Sequence, residues 1–148
     1  MNEPGPIFHD EFKIQGGNFA NAGDASCKIR RILKEIGVDA EIIRRVAIAS
    51  YEAEMNVVMY ARVGVMSLDV TSMKILIKVE DEGPGIQDID LAMQPGFSTA
   101  TPEMREMGFG AGMGLPNIKK NSDIFNIASS FGKGTNLEII FDLDDNNG

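Results

Sequence analysis

From Asp39 to about Ala61 the chain holds its longest run of helical periodicity, with Ile42, Val46, Ala49, Ala53, Val57 and Tyr60 on one stripe behind an Asp cap. A helix this long needs a broad apolar surface to cover that stripe, and the flanking segments read as strands. Residues 7–15 form one, with Ile7, Phe8, Phe12 and Ile14 as apolar members. Ser67–Thr71 and Met73–Glu80 form two more, the second alternating as KILIKV. Phe125–Ser130 and Thr135–Leu143 close the chain as a hairpin around Gly132-Lys133-Gly134. Ala25–Ile36 is a second helix, with Asn21 or Asp24 as its cap, Ile29, Ile32, Leu33 and Ile36 as its stripe and Gly37 as its stop. Leu115–Ser122 is a third. Strands adjacent in sequence place the fold in the α+β class and not among doubly wound parallel sheets.

At 148 residues the chain is expected to be one domain, residues 1–148. A net charge of −8 argues against a protein that grips phosphate backbones, which takes a basic surface. Phosphorylated small molecules remain open, since backbone N–H groups and a metal hold them. Cys27 is the single cysteine, so no disulfide framework or CxxC site exists, and it reads as a small core residue. The longest charge-free stretches, Leu91–Pro102 and Met107–Ile118, are broken by Gly and Pro and fall short of the roughly 20 apolar residues of a membrane span. The N-terminus is acidic and unlike a signal peptide, so a cytoplasmic location is expected.

Glycines cluster at Gly83/Gly85, Gly108/Gly110/Gly112/Gly114 and Gly132/Gly134, and such clusters either wrap phosphates or simply make turns. Neither GxxxxGK[ST] nor a GxGxxG in register after a first βα unit is present. Glu52 and Asn56 stand four apart on one face of an otherwise apolar helical segment. Placed there they are either solvent-exposed or bonded to neighbouring backbone, or they form a base and a hard-cation ligand. Glu54 points elsewhere and is assigned to the surface. Asp81 ends the KILIKVED strand before Gly-Pro-Gly, where it either initiates the turn or accepts from an exocyclic amine. Residues 95–114 carry no hydrophobic period, and loops this long in compact domains are usually functional.

The order of these features is distinctive. Glu52-x-x-x-Asn56, Asp81-x-Gly83-x-Gly85-Ile86, Phe109-Gly110-x-Gly112-x-Gly114-Leu115 and Gly132-x-Gly134-Thr135 resemble the nucleotide site of the GHKL superfamily, over about residues 40–142. The resemblance implies a Bergerat fold, an α/β sandwich whose mixed, largely antiparallel sheet is covered on one face by helices, with a mobile ATP lid. It implies ATP and Mg²⁺ as cofactors. Asn56 then resembles the Mg²⁺ ligand, Glu52 the general base and Asp81 the residue that bonds the adenine amino group. Gly83, Gly85 and Ile86 resemble the turn beneath the adenine, and Gly110, Gly112, Gly114 and Leu115 the end of the lid, where helix N–H groups meet phosphates. Ser98 and Thr99 fall in the lid, and Thr135 at the back of the pocket.

The only histidine, His9, lies in a strand-like segment near the N-terminus, which suits a surface or edge-strand imidazole better than the phosphoacceptor of a histidine kinase. The length leaves no room for the further domains of the gyrase, chaperone and mismatch-repair members. What remains is the branch of small anti-sigma factors and serine/threonine protein kinases. Asn56-Val-Val-Met-Tyr60-Ala61, Gly96-Phe97-Ser98-Thr99 and Leu115-Pro116-Asn117-Ile118-Lys119-Lys120 look like the RsbT-type switch kinases, whereas RsbW-type proteins usually carry a histidine at the Tyr60 position. The lid departs from the switch-kinase pattern by two extra residues, Met113-Gly114. This branch implies γ-phosphoryl transfer from Mg-ATP to a serine or threonine of an anti-anti-sigma (STAS) partner, with no direct nucleic acid or membrane partner. The alternative is a non-catalytic, nucleotide-dependent module that sequesters a sigma factor or activates a phosphatase; homodimers occur in the sigma-sequestering branch. Lys28, Arg30, Arg31, Lys34, Arg44 and Arg45 read as a solvated basic face, or else as a docking surface for an acidic partner.

Overall fold

The computed structural model describes residues 7–83, 85, 89, 93–94, 114–130 and 132–143. Along the chain run β1 (Phe8–Gln15), a 3-10 turn (Phe19–Asn21), α1 (Asp24–Ile36), α2 (Ala40–Tyr60), β2 (Val63–Val70), β3 (Lys74–Glu82), α3 (Gly114–Asn121), β4 (Ile124–Ser130) and β5 (Gly134–Asp142). The five strands form one sheet in the order β1-β2-β3-β5-β4. All four pairings are antiparallel, so the parallel part of the expected mixed sheet is absent among the described residues.

Period-two alternation sorts the sheet into two faces. Met66, Leu68 and Val70 of β2, Ile75, Ile77 and Val79 of β3, and Leu137, Ile139 and Phe141 of β5 point inward and are buried. Val65, Lys78 and Asn136, on the other face, are exposed. The helices cover the inner face, with α2 packed between α1 and α3. Ile29 and Leu33 of α1, Val46, Ala49, Ala53 and Val57 of α2 and Ile118 of α3 join the same core. The structure is thus the two-layer α+β sandwich that the strand order implies.

The helix ends follow local chemistry, with one exception. Asp39 caps α2, its Oδ2 accepting the Glu41 N–H at 3.1 Å. Gly37 ends α1 at φ 96°, with its N–H and that of Val38 donating to the Leu33 carbonyl. Neither Asn21 nor Asp24 caps α1. Gly23 occupies the cap position without a side-chain bond, and the cap comes from α2: Glu54 accepts the N–H groups of Gly23 (3.0 Å), Ala25 (3.1 Å) and Ser26 (2.9 Å). Glu54, assigned to the surface by sequence, is 2% exposed. It answers the unpaired N–H groups and the positive end of the α1 dipole together. Cys27, expected in the core, is exposed, because it lies off the Ile29/Leu33 stripe of α1. β2 starts at Val63, four residues ahead of the Ser67 expected from the sequence, where Gly64 interrupts the strand pattern without ending the strand. A Cβ at Gly64 would sit 2.9 Å from Cγ1 of Val57, so the glycine lets α2 cross the sheet closely.

His9 stands on edge strand β1 with its Nδ1 hydrogen-bonded to Asp69 on β2, the surface position read from the sequence. The bond to Asp69 raises the His9 pKa above its ordinary 6.5, with Glu11 adding to the effect. A raised folded-state pKa gives a contribution present below the unfolded value and lost as pH rises through the folded one. As the sole histidine, His9 titrates in NMR spectra without overlap; its midpoint should lie above 6.5 and move back towards it in Asp69→Asn. Glu54→Ala leaves three helix N–H groups without an acceptor and should lower the unfolding free energy by roughly 3 kcal/mol or more. Urea titration against Glu52→Ala, which loses one bond, should show the smaller cost for Glu52.

Candidate functional site

Ala49, Ala53 and Val57 turn the buried stripe of α2 towards the sheet, which leaves Glu52 and Asn56 half-buried on the flank facing α3. The first residue of α3, Gly114, abuts both. A Cβ built there would lie 3.4 Å from Glu52 Oε1 and 3.5 Å from Asn56 Oδ1. Two oxygens from successive turns of one helix thus converge on the N-terminal end of another. Asn117 Nδ2, one turn into α3, donates to Glu52 Oε2 at 3.2 Å and fixes the carboxylate from the other side. Asn117 was not singled out in the sequence as a site residue. Its signal is an amide beside the buried Leu115 and Ile118, in the first turns after a glycine cluster.

A second group gathers where β3 ends and β5 begins. Asp81 Oδ1 accepts the Thr135 N–H at 3.0 Å. Partial burial raises the Asp81 pKa above its ordinary value, and the Thr135 N–H acts against that rise. Gly134, at φ 136°, passes so close to the Asp81 carbonyl that a Cβ would collide with it. Thr135 is buried, and its Oγ1 lies 3.0 Å from Ser129 Oγ, which also donates to the Gly134 carbonyl at 3.1 Å.

The two groups share one end of the sandwich. Gly64, packed on Val57 of α2, pairs in register with Asp81, and Gly83 lies against Ala61 just past the end of α2. An open cleft of about 650 Å³ adjoins Gly83, lined by Tyr60, Ala61, Arg62, Glu82, Gly132 and Lys133. Its wall excludes Glu52, Asn56 and Asp81, so it marks the rim of this end and not the polar centre. Gly85 has the left-handed φ of 77° that a tight turn takes. Leu115 buries its side chain in the core, which leaves its backbone N–H in the first turn of α3 as the group it can offer a ligand. Ile86, Ser98, Thr99, Gly110 and Gly112, and with them the expected lid, lie outside the described residues.

Chemically, the arrangement combines an anion-attracting helix N-terminus, a carboxylate and an amide oxygen beside it, and a half-buried carboxylate in the neighbouring turn. Among the described residues no cluster of three His, Cys, Asp or Glu side chains forms a self-sufficient metal cage. The oxygen donors that meet at Gly114 instead suit Mg²⁺, which keeps its waters and takes one or two protein oxygens plus substrate phosphates.

Comparison with known proteins shows what the chain is similar to. Residues 20–141 match the histidine kinase-like ATPase domain family. The chain is 33% identical over 115 residues to the serine/threonine-protein kinase RsbT of Bacillus subtilis strain 168, covering 75% of this chain and 80% of that one. It is 36% identical over 100 residues to the anti-sigma F factor of Thermoanaerobacter sp. strain X514, covering 64% of this chain and 66% of that one. In fold it is similar to the crystal structure of the RsbU and RsbW domains of Rv1364c from Mycobacterium tuberculosis, with a TM-score of 0.58 at 17% identity. That likeness covers 89% of this chain and 32% of the longer one. By the span of the family match and by the identity it shares over most of a relative's length, the chain belongs to the histidine kinase-like ATPase domain family.

Proposed function

We propose that the protein is an ATP-dependent serine/threonine protein kinase of the anti-sigma-regulator type, acting on a STAS-domain partner in the cytoplasm, with residues 1–148 working as one nucleotide-binding unit. The observation that carries this reading is the convergence of Glu52 Oε1 and Asn56 Oδ1 at Gly114, on the N-terminal end of α3. Identity to a relative named as a serine/threonine-protein kinase supports the same direction.

In this reading the adenine amino group donates to Asp81, backed by Thr135 and turned by Gly83 and Gly85, and the phosphates meet the N–H groups of Gly114 and Leu115. Ile86, Ser98, Thr99, Gly110 and Gly112 are assigned to the same nucleotide site by their place in the sequence motifs. Asn56 would hold Mg²⁺, which when bound would supply screening of the phosphate charge that an incoming hydroxyl must approach. Glu52, oriented by Asn117, takes the proton of the partner's serine or threonine hydroxyl. The hydroxyl oxygen bonds to the γ-phosphorus as the bond from that phosphorus to the bridging β,γ-oxygen breaks, and ADP leaves with the electron pair. Positioning and charge neutralisation supply most of the rate. A second reading, a nucleotide-dependent module that holds a sigma factor or phosphatase without transferring phosphate, is favoured by the relatives named anti-sigma F factor.

Three measurements test the nucleotide site and its chemistry, and the last of them separates the two readings. Calorimetric titration should show Mg²⁺-dependent ATP binding to the wild type, weakened about tenfold to a hundredfold in Asp81→Asn. Because burial raises the Asp81 pKa, its ionised form burdens the fold once pH has risen through the folded-state value. Asn also keeps an acceptor for the Thr135 N–H. Asp81→Asn should therefore melt no lower than the wild type at neutral pH while binding ATP less well. Glu52→Ala should still bind ATP but transfer γ-labelled phosphate to a STAS protein about a hundredfold or more slowly. Normal transfer by Glu52→Ala removes the base assignment, and transfer absent even in the wild type favours the binding module.

A further inference from the structure

Helix α3 is short, eight residues from Gly114 to Asn121, and its buried residues are Leu115 and Ile118. A helix of that length does not hold itself together in water, so its place is set by what it packs against. Apolar contact is non-directional and leaves a short helix free to slide by a fraction of a turn along its axis. Directional bonds remove that freedom, and α3 meets α2 through such bonds at both ends.

At the N-terminal end Asn117 donates to Glu52, and Gly114 abuts Glu52 and Asn56. At the C-terminal end the contact is Arg45. Read from the sequence as part of a basic face with Arg44, it is instead partly buried. Its Nε donates to the Asn121 carbonyl at 2.9 Å, its Nη2 pairs with Asp123 Oδ1 at 3.2 Å, and its Cζ lies 5.9 Å from the centroid of the Phe141 ring. Asp123 is itself fastened to β5, accepting the Asp142 N–H at 2.8 Å and donating its own N–H to the Ile140 carbonyl at 2.9 Å. Asn121 reaches back along α3, its Nδ2 donating to the Asn117 carbonyl at 2.9 Å.

The spacings on the two helices match. Arg45 and Glu52 stand seven residues apart on α2, and Gly114 and Asn121 stand seven apart on α3. Both separations are close to two turns, about 10.5 Å, and the helices run antiparallel, so the two ends meet their partners together. The charges match as well. A carboxylate stands at the positive end of α3 and a guanidinium at its negative end, where it also answers a carbonyl that has no partner within the helix.

We propose that Arg45 is a positioning residue of the nucleotide site, holding the C-terminal end of α3 against α2 and β5 so that Gly114 and Asn117 meet Glu52 and Asn56 in register. The proposal rests on the kinase reading for its effect on rate, and on the contacts alone for its effect on geometry. Arg45 stands two turns of α2 away from Glu52 and acts on the site through α3. A misplacement of about 1 Å at reacting groups costs about a hundredfold in rate, so a small slide of α3 is enough to register.

The test compares the full chain with Arg45→Met, which keeps a long apolar side chain beside Phe141 and loses the guanidinium. In proton–nitrogen correlation spectra of the nucleotide-free protein, the Asn117 side-chain amide and the Gly114 backbone N–H should shift and exchange faster with solvent. Asp123→Asn keeps an acceptor for the Asp142 N–H and should move the same signals in the same direction by less. Arg45→Lys keeps the charge without the fork that bonds two oxygens at once, and should fall between Arg45→Met and wild type. Should Arg45→Met not fold, these two milder variants decide by the same signals. Phosphoryl transfer to a STAS protein should slow about tenfold in Arg45→Met at unchanged KM for that protein, and R45M/N117A should be slowed by less than the product of the single effects. Asp69→Asn, which cuts the charge pair to His9 on the edge strand, should transfer at the wild-type rate. Unmoved Asn117 and Gly114 signals, undiminished transfer by Arg45→Met, or single effects that simply multiply overturn the proposal. Failure of the kinase reading looks different: the wild type itself transfers no phosphate, while the shifts at Asn117 and Gly114 in Arg45→Met persist.

Discussion

Three N–H groups at the start of α1 donate to the buried Glu54 carboxylate, and the setting of α2 about its own axis follows from that contact. With Glu54 committed to α1 and Ala49, Ala53 and Val57 committed to the core, Glu52 and Asn56 are left to face α3. A buried carboxylate without those donors would be strongly unfavourable, and without the carboxylate the three N–H groups would be left unsatisfied at a helix end packed away from water. Each half of the contact therefore requires the other, and the candidate site inherits its geometry from it.

Close approach is the second constraint. Val57 meets β2 at Gly64, the end of β3 meets the chain beyond α2 at Gly83, and Gly134 meets the Asp81 backbone. These contacts draw the last turns of α2, the end of β3 and the start of β5 to one end of the sandwich. That is where the polar groups gather, because the rest of the inner face is filled by Met66, Leu68, Ile77, Ile139 and their neighbours. Packing density thus decides where polar groups can gather.

The helix-covered layer also separates two kinds of surface. The flank of α2 towards α3 holds a carboxylate, amides and a helix N-terminus, suited to a phosphorylated small molecule. The flank towards α1 is covered by that helix, whose outer face carries the exposed Lys28, Arg30, Arg31 and Lys34. One helix, α2, touches both, so a change at either flank has a short path to the other through Glu54 and Glu52, which are two residues apart.

Strand and helix identity were legible in the sequence because alternation in KILIKV and the 3.6-residue stripe of α2 are local signals. The order of the Glu52/Asn56, Asp81, Gly114 and Thr135 segments was legible too, as was the edge-strand place of His9. The exposed position of Cys27 was open to the same reasoning, since it lies off the stripe of its own helix. Sequence had no means of pairing Glu54 with residues 28 to 31 positions away, of extending β2 back through Gly64, or of aiming Asn117 at Glu52. The chain by itself determined which segments are helix or strand and which residue types stand at the site, because those depend on neighbours a few residues apart. Only the tertiary structure decided which carboxylate is buried and which is oriented towards α3, because each of those depends on segments that meet solely through packing.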